Sequence, residues 1–480
     1  MTIYRCYLIV SLSVLLFIGS TTLTAQHQEQ NRMIVLTDIE ADPDDMQSLV
    51  RLMLYANQID IKGIVATTSC WMQSEIHPES IHRVIEAYRQ VYPNLLMHES
   101  GYPSPDHLRS IVKNGLPKYG MTGVGDGMDS EGSQWIIREL EADDDRPLWI
   151  SVWGGVNTLA QALHKISATK NATEAERLIK KLRVYTISDQ DDSGLWIRNT
   201  YPELFYIVSP GDSYGEATWT GINNVVPGID NSTISTAWFA EHIQQGHGPL
   251  GATYPDVSWG VEGDTPAYLS LIPNGLNDPE HPEWGAWGGR YELYQPSFEG
   301  RTDGSSVVTI APETRPIWTN ADDRYSPLLP QPYGRAVRPD TSTFEGYKVT
   351  LWRWRDDFQH DFAARMDWCT KSYEEANHPP VPVLDHSDRL TVQSGEQFTL
   401  SAKQSYDPDG DNLSFYWMIY PEAGSYDGEW TMNQPENDWK RHGTAPQVEE
   451  PETIHVILRL TDKGSPALTR YQRIILTVTP

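Results

Sequence analysis

Five carboxylates stand within eight residues in Asp38-Ile39-Glu40-Ala41-Asp42-Pro43-Asp44-Asp45, separated only by Thr37 from the apolar run Met33-Ile34-Val35-Leu36. Carboxylates this crowded repel one another, and the repulsion is relieved by a hard cation, by a raised pKa or by exposure to water. Two readings therefore stand side by side: a site for a metal ion that prefers oxygen ligands, or a solvated acidic loop in which Asp44 or Asp45 caps the next helix. Further chemistry-bearing residues follow. Asp189-Gln190-Asp191-Asp192 offers acceptors for sugar hydroxyls, and Arg198 offers a clamp for a carboxylate or sulfate, or else simply neutralises a solvated loop. His247, between Gly246 and Gly248, is a candidate proton donor or a turn residue. Asp264, in Glu262-Gly263-Asp264-Thr265-Pro266, is a metal ligand or a helix cap. Trp153, Trp259, Trp284 and Trp287 are platforms for sugar rings or core residues.

The elements that position these residues read as a β-α-β rhythm. The run before the acids is a buried strand, and Met46 to Leu54 has the apolar spacing of a helix, so the acids occupy a loop at a strand's carboxyl end. Ligands of open α/β sheets bind there. Ile59–Ser69, Pro147–Trp153, Leu182–Ile187 and Leu204–Val208 repeat the strand pattern with helices between them, which predicts a mainly parallel sheet with helices on both faces. Residues 27–375 make up this α/β part. A stiff linker follows at 376–388, and 389–480 changes to short alternating strands with Gly and Asp turns, the pattern of a small immunoglobulin-like β-sandwich. That last part is expected to be a spacer or adhesion module whose removal leaves turnover of small substrates intact.

A net charge of −28 excludes a nucleic-acid footprint. Arg5, the apolar core Tyr7–Gly19 and the small-residue stretch ending Thr24-Ala25-Gln26 predict a cleavable signal over residues 1–25 and hence a secreted or periplasmic protein, and no segment is expected to span a membrane. Cys70 and Cys369, the two cysteines left after cleavage, are expected to be free and buried.

The pattern Asp38-x-Glu40-x-x-x-Asp44-Asp45 resembles the aspartate motif of nucleoside hydrolases. Thr37–Arg51, Trp153–Gln161, Ile187–Gly194 and Gly260–Pro266 together resemble a bacterial family of cellulose-binding proteins that joins a nucleoside-hydrolase-like domain to a small β domain. The resemblance implies Ca²⁺ held by Glu40, Asp45, the Asn157 carbonyl and Asp264, with Glu40 as the base and Asp44 on a sugar hydroxyl. Glu40 departs from the hydrolases, which have Asp there. One extra methylene moves a carboxylate by roughly an ångström, enough to cost about two orders of magnitude in rate. Nucleoside salvage is thereby disfavoured. The expected function is a secreted, metal-assisted enzyme that cleaves a C–O bond in polysaccharide-derived oligosaccharides, with Glu40, Asp191 and His247 catalytic and Asp44, Gln190, Arg198 and Trp153 on the substrate. Two alternatives remain: a lyase that eliminates water from a terminal uronic acid, and a polysaccharide-binding protein without chemistry.

Overall fold

β1 (Asn31–Thr37) is buried on both faces, as a central strand of a parallel sheet must be. In the computed structural model, which describes residues 29–209, 217–258, 260–296, 311–330, 337–339, 342–432 and 437–480, this strand pairs in parallel with β2 (Ile59–Ala66) on one side and β4 (Leu148–Val152) on the other. With β3 (Val112–Asn114), β5 (Leu182–Thr186), β6 (Phe205–Val208), β7 (Tyr291–Tyr294) and β8 (Ile317–Asn320), the sheet order is β3-β2-β1-β4-β5-β6-β8-β7. Only the last pair, β7 with β8, is antiparallel. The chain winds from β1 outward to β3 and then returns to β4 on the other side of β1. The order thus reverses between β1 and β4, and a crevice opens above their carboxyl ends at that switch point.

α1 (Asp44–Leu54) is buried along nearly its whole length, including its polar residues Gln47, Ser48 and Arg51. Their partners explain this. Arg51 pairs with Glu262 at 2.5 Å, both fully buried, and its guanidinium lies 4.0 Å from the Phe362 ring centre. The Glu262 amide donates to Gln47 Oε1 at 3.0 Å, and Thr265 Oγ1 donates to Ser48 Oγ at 3.0 Å. The segment that carries Asp264 is thereby fastened to the helix that carries Asp44 and Asp45. α2 (Pro78–His98), α3 (Pro105–Ser110), α4 (Glu131–Glu141), α5 (Asn157–Thr169), α6 (Ala172–Ile179) and α7 (Ser193–Thr200) complete the helices of this α/β layer up to β6. No helix among the described residues is long and apolar enough to cross a membrane. Cys70 and Cys369 are both buried, and neither is joined in a disulfide among the described residues. The expected signal at 1–25 and Trp259 lie outside the described residues.

β9 (Asp323–Tyr325), β10 (Leu328–Pro330), β11 (Val337–Pro339) and β12 (Phe344–Gly346) form two small antiparallel pairs. The C-terminal part is all β. β13 (Arg389–Gln393), β15 (Ser414–Tyr420), β17 (Glu452–Thr461) and β18 (Thr469–Thr479) make one sheet, and β14 (Gln397–Ser401) with β16 (Lys440–Thr444) makes the other. Leu400, Trp417, Val456, Leu458 and Ile474 belong to the core these strands enclose.

This β part does not stand apart as a spacer would. Arg470 Nη1 meets Asp361 at 2.6 Å, Arg459 Nε meets Asp357 at 2.9 Å and the Tyr420 hydroxyl donates to Asp323 at 2.6 Å. Arg473 donates to the carbonyls of Leu276 and Gly285 at 2.9 and 2.7 Å. Trp287 and Trp284 are spent at the same seam rather than on sugars. Trp287 is fully buried, edge-on to Tyr471, and Trp284 stacks on His281 at 3.7 Å and meets His455 edge-on. The segment expected to be a linker is packed as well: Asn377 Nδ2 donates to the Pro466 carbonyl at 2.7 Å, and His378 stacks on Tyr373 at 3.8 Å.

Candidate functional site

Above the switch point lies a cavity of about 300 Å³. The loop after β1 supplies Asp38 and Asp42, the first turn of α1 supplies Asp44 and Asp45, and Asp264 comes in from the far segment. Trp71 follows β2, Trp153 follows β4, and Ile187 and Gln190 follow β5. Trp219, Thr220, Asn223 and Gly260 close the side.

The acids are held by their own loop. The Thr37 hydroxyl, at the end of β1, donates to Asp45 and accepts from the Ile39 amide at 3.1 Å. Asp42 Oδ1 accepts from the Asp44 amide at 3.0 Å. Asp42, Asp44 and Asp45 each bring an oxygen within 4.8 Å of the others. Asp264 is 1 % exposed and its Oδ2 has no hydrogen-bond partner. Two glycines allow this crowding: a Cβ at Gly154 would lie 2.5 Å from Asp38 Oδ1, and one at Gly263 would lie 2.6 Å from Asp44 Oδ2.

Burial is the main cause of the electrostatics. It raises the Asp38 carboxyl to about 7 against the pull of the Ser69 hydrogen bond. Burial first, and then the neighbouring carboxylates, hold Asp44, Asp45 and Asp264 well above the usual carboxylate range. No Lys, Arg or His lines the cavity among the described residues. Oxygen donors gathered in this way, with one left unpaired, fit a hard divalent cation and would serve a soft transition metal poorly.

Several residues singled out in the sequence are placed elsewhere. Glu40, expected as ligand and base, has φ 83°, and this turn of the backbone carries its carboxylate to Ser80 and to Arg83 Nη2, 3.0 Å away. Asp42 stands in the cavity in its place. Arg198, expected as a substrate clamp, is 1 % exposed, with a bidentate pair to Asp189 at 2.9 and 2.7 Å and a further bond to Glu313 at 2.8 Å, so it has no reach into the cavity. His247, expected as a proton donor, pairs with Asp367 at 3.1 Å in a different cavity beside His242 and His360. Asp191, expected as an acid, is outside the lining and serves as a bracket. Its carboxylate accepts from the first amides of α5 (Asn157, 3.1 Å) and α7 (Ser193, 2.9 Å), and burial raises it to about 6. Asn157 is also outside the lining, its side chain bonded to the Lys118 carbonyl at 2.7 Å and to Thr67 Oγ1 at 3.0 Å.

Asp44, Asp45, Asp264, Gln190 and Trp153 do converge. Gln190 Nε2 donates to the Trp153 carbonyl at 2.5 Å, and its Oε1 has no protein partner. Trp153, fully buried with Nε1 on Ser151 Oγ at 2.9 Å, forms part of the floor. Sequence reasoning passed over Asp42, Trp71, Trp219 and Asn223 as site residues. Asp42 was visible in the acidic run and Trp71 in the loop after β2, whereas nothing local marks Trp219 or Asn223.

Residues 32–291 match a family model described as "Cellulose-binding Sde182, nucleoside hydrolase-like domain", and residues 397–478 match "Cellulose-binding protein Sde0182, C-terminal domain". Among solved structures, a nucleoside hydrolase-related hypothetical protein from Saccharophagus degradans, described as associated with carbohydrate metabolism, is 36% identical. The match covers 94% of this chain and 100% of that one, with a TM-score of 0.78. The effector protein XOO4466 is 12% identical over 61% of this chain and 88% of its own, with a TM-score of 0.29. No curated protein matches.

Proposed function

We propose a function from the premise that this chain belongs to the family of cellulose-binding Sde182 proteins with a nucleoside hydrolase-like domain: it is an exported carbohydrate-active enzyme whose cavity takes a sugar from a polysaccharide fragment and hydrolyses the C–O bond that links it. The observation that carries this reading is the meeting of Asp42, Asp44, Asp45 and Asp264, whose Oδ2 has no partner, with Trp71, Trp153 and Trp219 in one cavity. The four aspartates would hold Ca²⁺, which supplies charge neutralisation and a grip on sugar or water oxygens. Asp42 takes the part of base and removes a proton from water, Asp38, whose carboxyl burial raises to about 7, gives a proton to the leaving oxygen, and Gln190 Oε1 and Asn223 orient sugar hydroxyls. Apolar sugar faces lie against the indole rings.

Elimination from a uronic acid is the weaker reading, because the arginine that would steady the sugar carboxylate is locked between Asp189 and Glu313. The test is a panel of neutral and uronic oligosaccharides incubated with protein and Ca²⁺, followed by product mass and by the absorbance of unsaturated uronate. Shorter chains without new absorbance are expected. Loss of one water with new absorbance means elimination, and an unchanged panel with measurable affinity leaves a binding protein.

The choice of Asp42 over Glu40 has its own test. Asp42→Asn is expected to weaken Ca²⁺ binding by about 10- to 100-fold, the range seen when groups that support a bound metal are lost, and to abolish turnover. Glu40→Gln should change Ca²⁺ affinity by no more than about twofold, since it breaks a surface pair with Arg83. Calorimetric titration of both variants decides, and the reverse ranking would restore Glu40 to the site.

A further inference from the structure

We infer that Trp71 forms a second sugar subsite at the cavity mouth, so that the site binds the terminal unit of a neutral chain of two or more sugars with the second ring stacked on the indole. This rests on the carbohydrate reading above and adds the length and charge of the ligand. The inner wall is closed by buried groups, with Trp153, Asp45 and Asp264 shut off from solvent. A ring can therefore enter only from the open side, and whatever it is attached to must leave through the mouth.

Trp71 lines the same cavity yet is 49 % exposed, an unusual state for so large an apolar side chain. Its backbone is nonetheless fixed. Ser69 Oγ accepts from the amides of Trp71 and Met72 at 3.0 and 3.2 Å, and the Ser69 amide donates to the Met72 carbonyl at 3.0 Å. The Cys70 amide donates to the Gln190 carbonyl at 2.8 Å, and the Gln190 side chain in turn holds the Trp153 carbonyl. Floor and mouth thus share one hydrogen-bonded frame, and the indole is presented to solvent on a loop already in shape. An aromatic face held ready in this way binds without the entropy cost of ordering its loop. The charge of the ligand follows from the lining: five aspartates, whose charge one Ca²⁺ would offset only in part, and no cationic side chain among the described residues disfavour a carboxylate or sulfate on the entering ring.

The experiment uses the full mature chain with Ca²⁺ and measures affinity for glucose, cellobiose and cellotriose, and for xylose and xylobiose. Wild type is expected to bind at least one disaccharide about 5- to 10-fold more tightly than its monosaccharide, the range of one aromatic stacking contact. Trp71→Ala should lower the affinity for the disaccharide by more than that for the monosaccharide and so erase the difference, with the melting temperature at its wild-type value, and Trp71→Phe should keep part of it. A disaccharide preference that survives Trp71→Ala overturns the subsite and leaves the cavity's carbohydrate reading intact. If wild type binds none of these sugars, the carbohydrate reading falls and takes the subsite with it.

Discussion

In metal-free buffer Asp264→Asn is expected to make the chain more stable than wild type, and saturating Ca²⁺ is expected to erase most or all of that advantage. Both effects come from one carboxylate. Asp264 is buried, its Oδ2 has no partner, and the charges of Asp44 and Asp45 add to burial in opposing its ionisation. Leaving a buried polar group unsatisfied costs about 1–3 kcal/mol, more for a charged one, so removing the charge should return roughly that amount. Binding of Ca²⁺ to the native chain alone adds about 2.7 kcal/mol at a hundredfold excess over Kd. Loss of one charged oxygen ligand should weaken that binding by about 100-fold, which removes most of the gain. Asp45→Asn should lower affinity as much but recover less metal-free stability, because the Asp45 carboxylate already accepts from Thr37. Denaturant titrations in chelator and in Ca²⁺, with calorimetry, give all four quantities. Equal stabilisation of wild type and Asp264→Asn by Ca²⁺ would reduce the acids to a cluster that copes by protonation alone.

The parallel sheet and the location of the acids were legible because they depend on local pattern. The β1 run is apolar on both faces, the helix after it is periodic, and the acids between them must fall at the strand's carboxyl end. What local pattern could not show was direction. Glu40 and Asp42 are two residues apart in one acidic run, and which of them faces the cavity depends on the positive φ of Glu40, a backbone state uncommon for a residue with a Cβ. Long-range partners were equally hidden. Arg198 looked available for substrate because Glu313, 115 residues further on, had no reason to be placed beside it. His247 looked like an acid near the rim because Asp367, 120 residues away, is what it pairs with. The tryptophans divided along the same line: Trp153 follows a central strand and reaches the cavity, whereas Trp287 is claimed by a tyrosine of the last strand.

Asp357→Ala is expected to destabilise the chain by about 3 kcal/mol, the low end of the cost of removing one member of a buried ion pair, since Arg459 keeps some exposure. Asp357 sits on the helix Arg355–Asp367 and is 4 % exposed, and its partners all come from the C-terminal strands: Arg459 from β17, and the hydroxyls of Tyr471 and Thr469 from β18. The effect should reach the cavity, because the opposite face of that helix holds α1. Arg51 donates to the Phe358 carbonyl at 3.2 Å and bonds Gln359, and the first turn of α1 carries Asp44 and Asp45. Weaker Ca²⁺ binding in Asp357→Ala is therefore expected although the residue does not line the cavity, with Asp357→Asn intermediate because it keeps an acceptor for Tyr471. A chain ending at residue 380 should fail to fold, since Asp323, Asp357 and Asp361 would lose Tyr420, Arg459 and Arg470 together. Denaturation followed by tryptophan fluorescence, with Ca²⁺ titration of each variant, tests the connection. A truncated chain that folds and binds Ca²⁺ as tightly as the full one would show that the seam merely joins two independent parts, and the C-terminal strands would return to the role of a spacer.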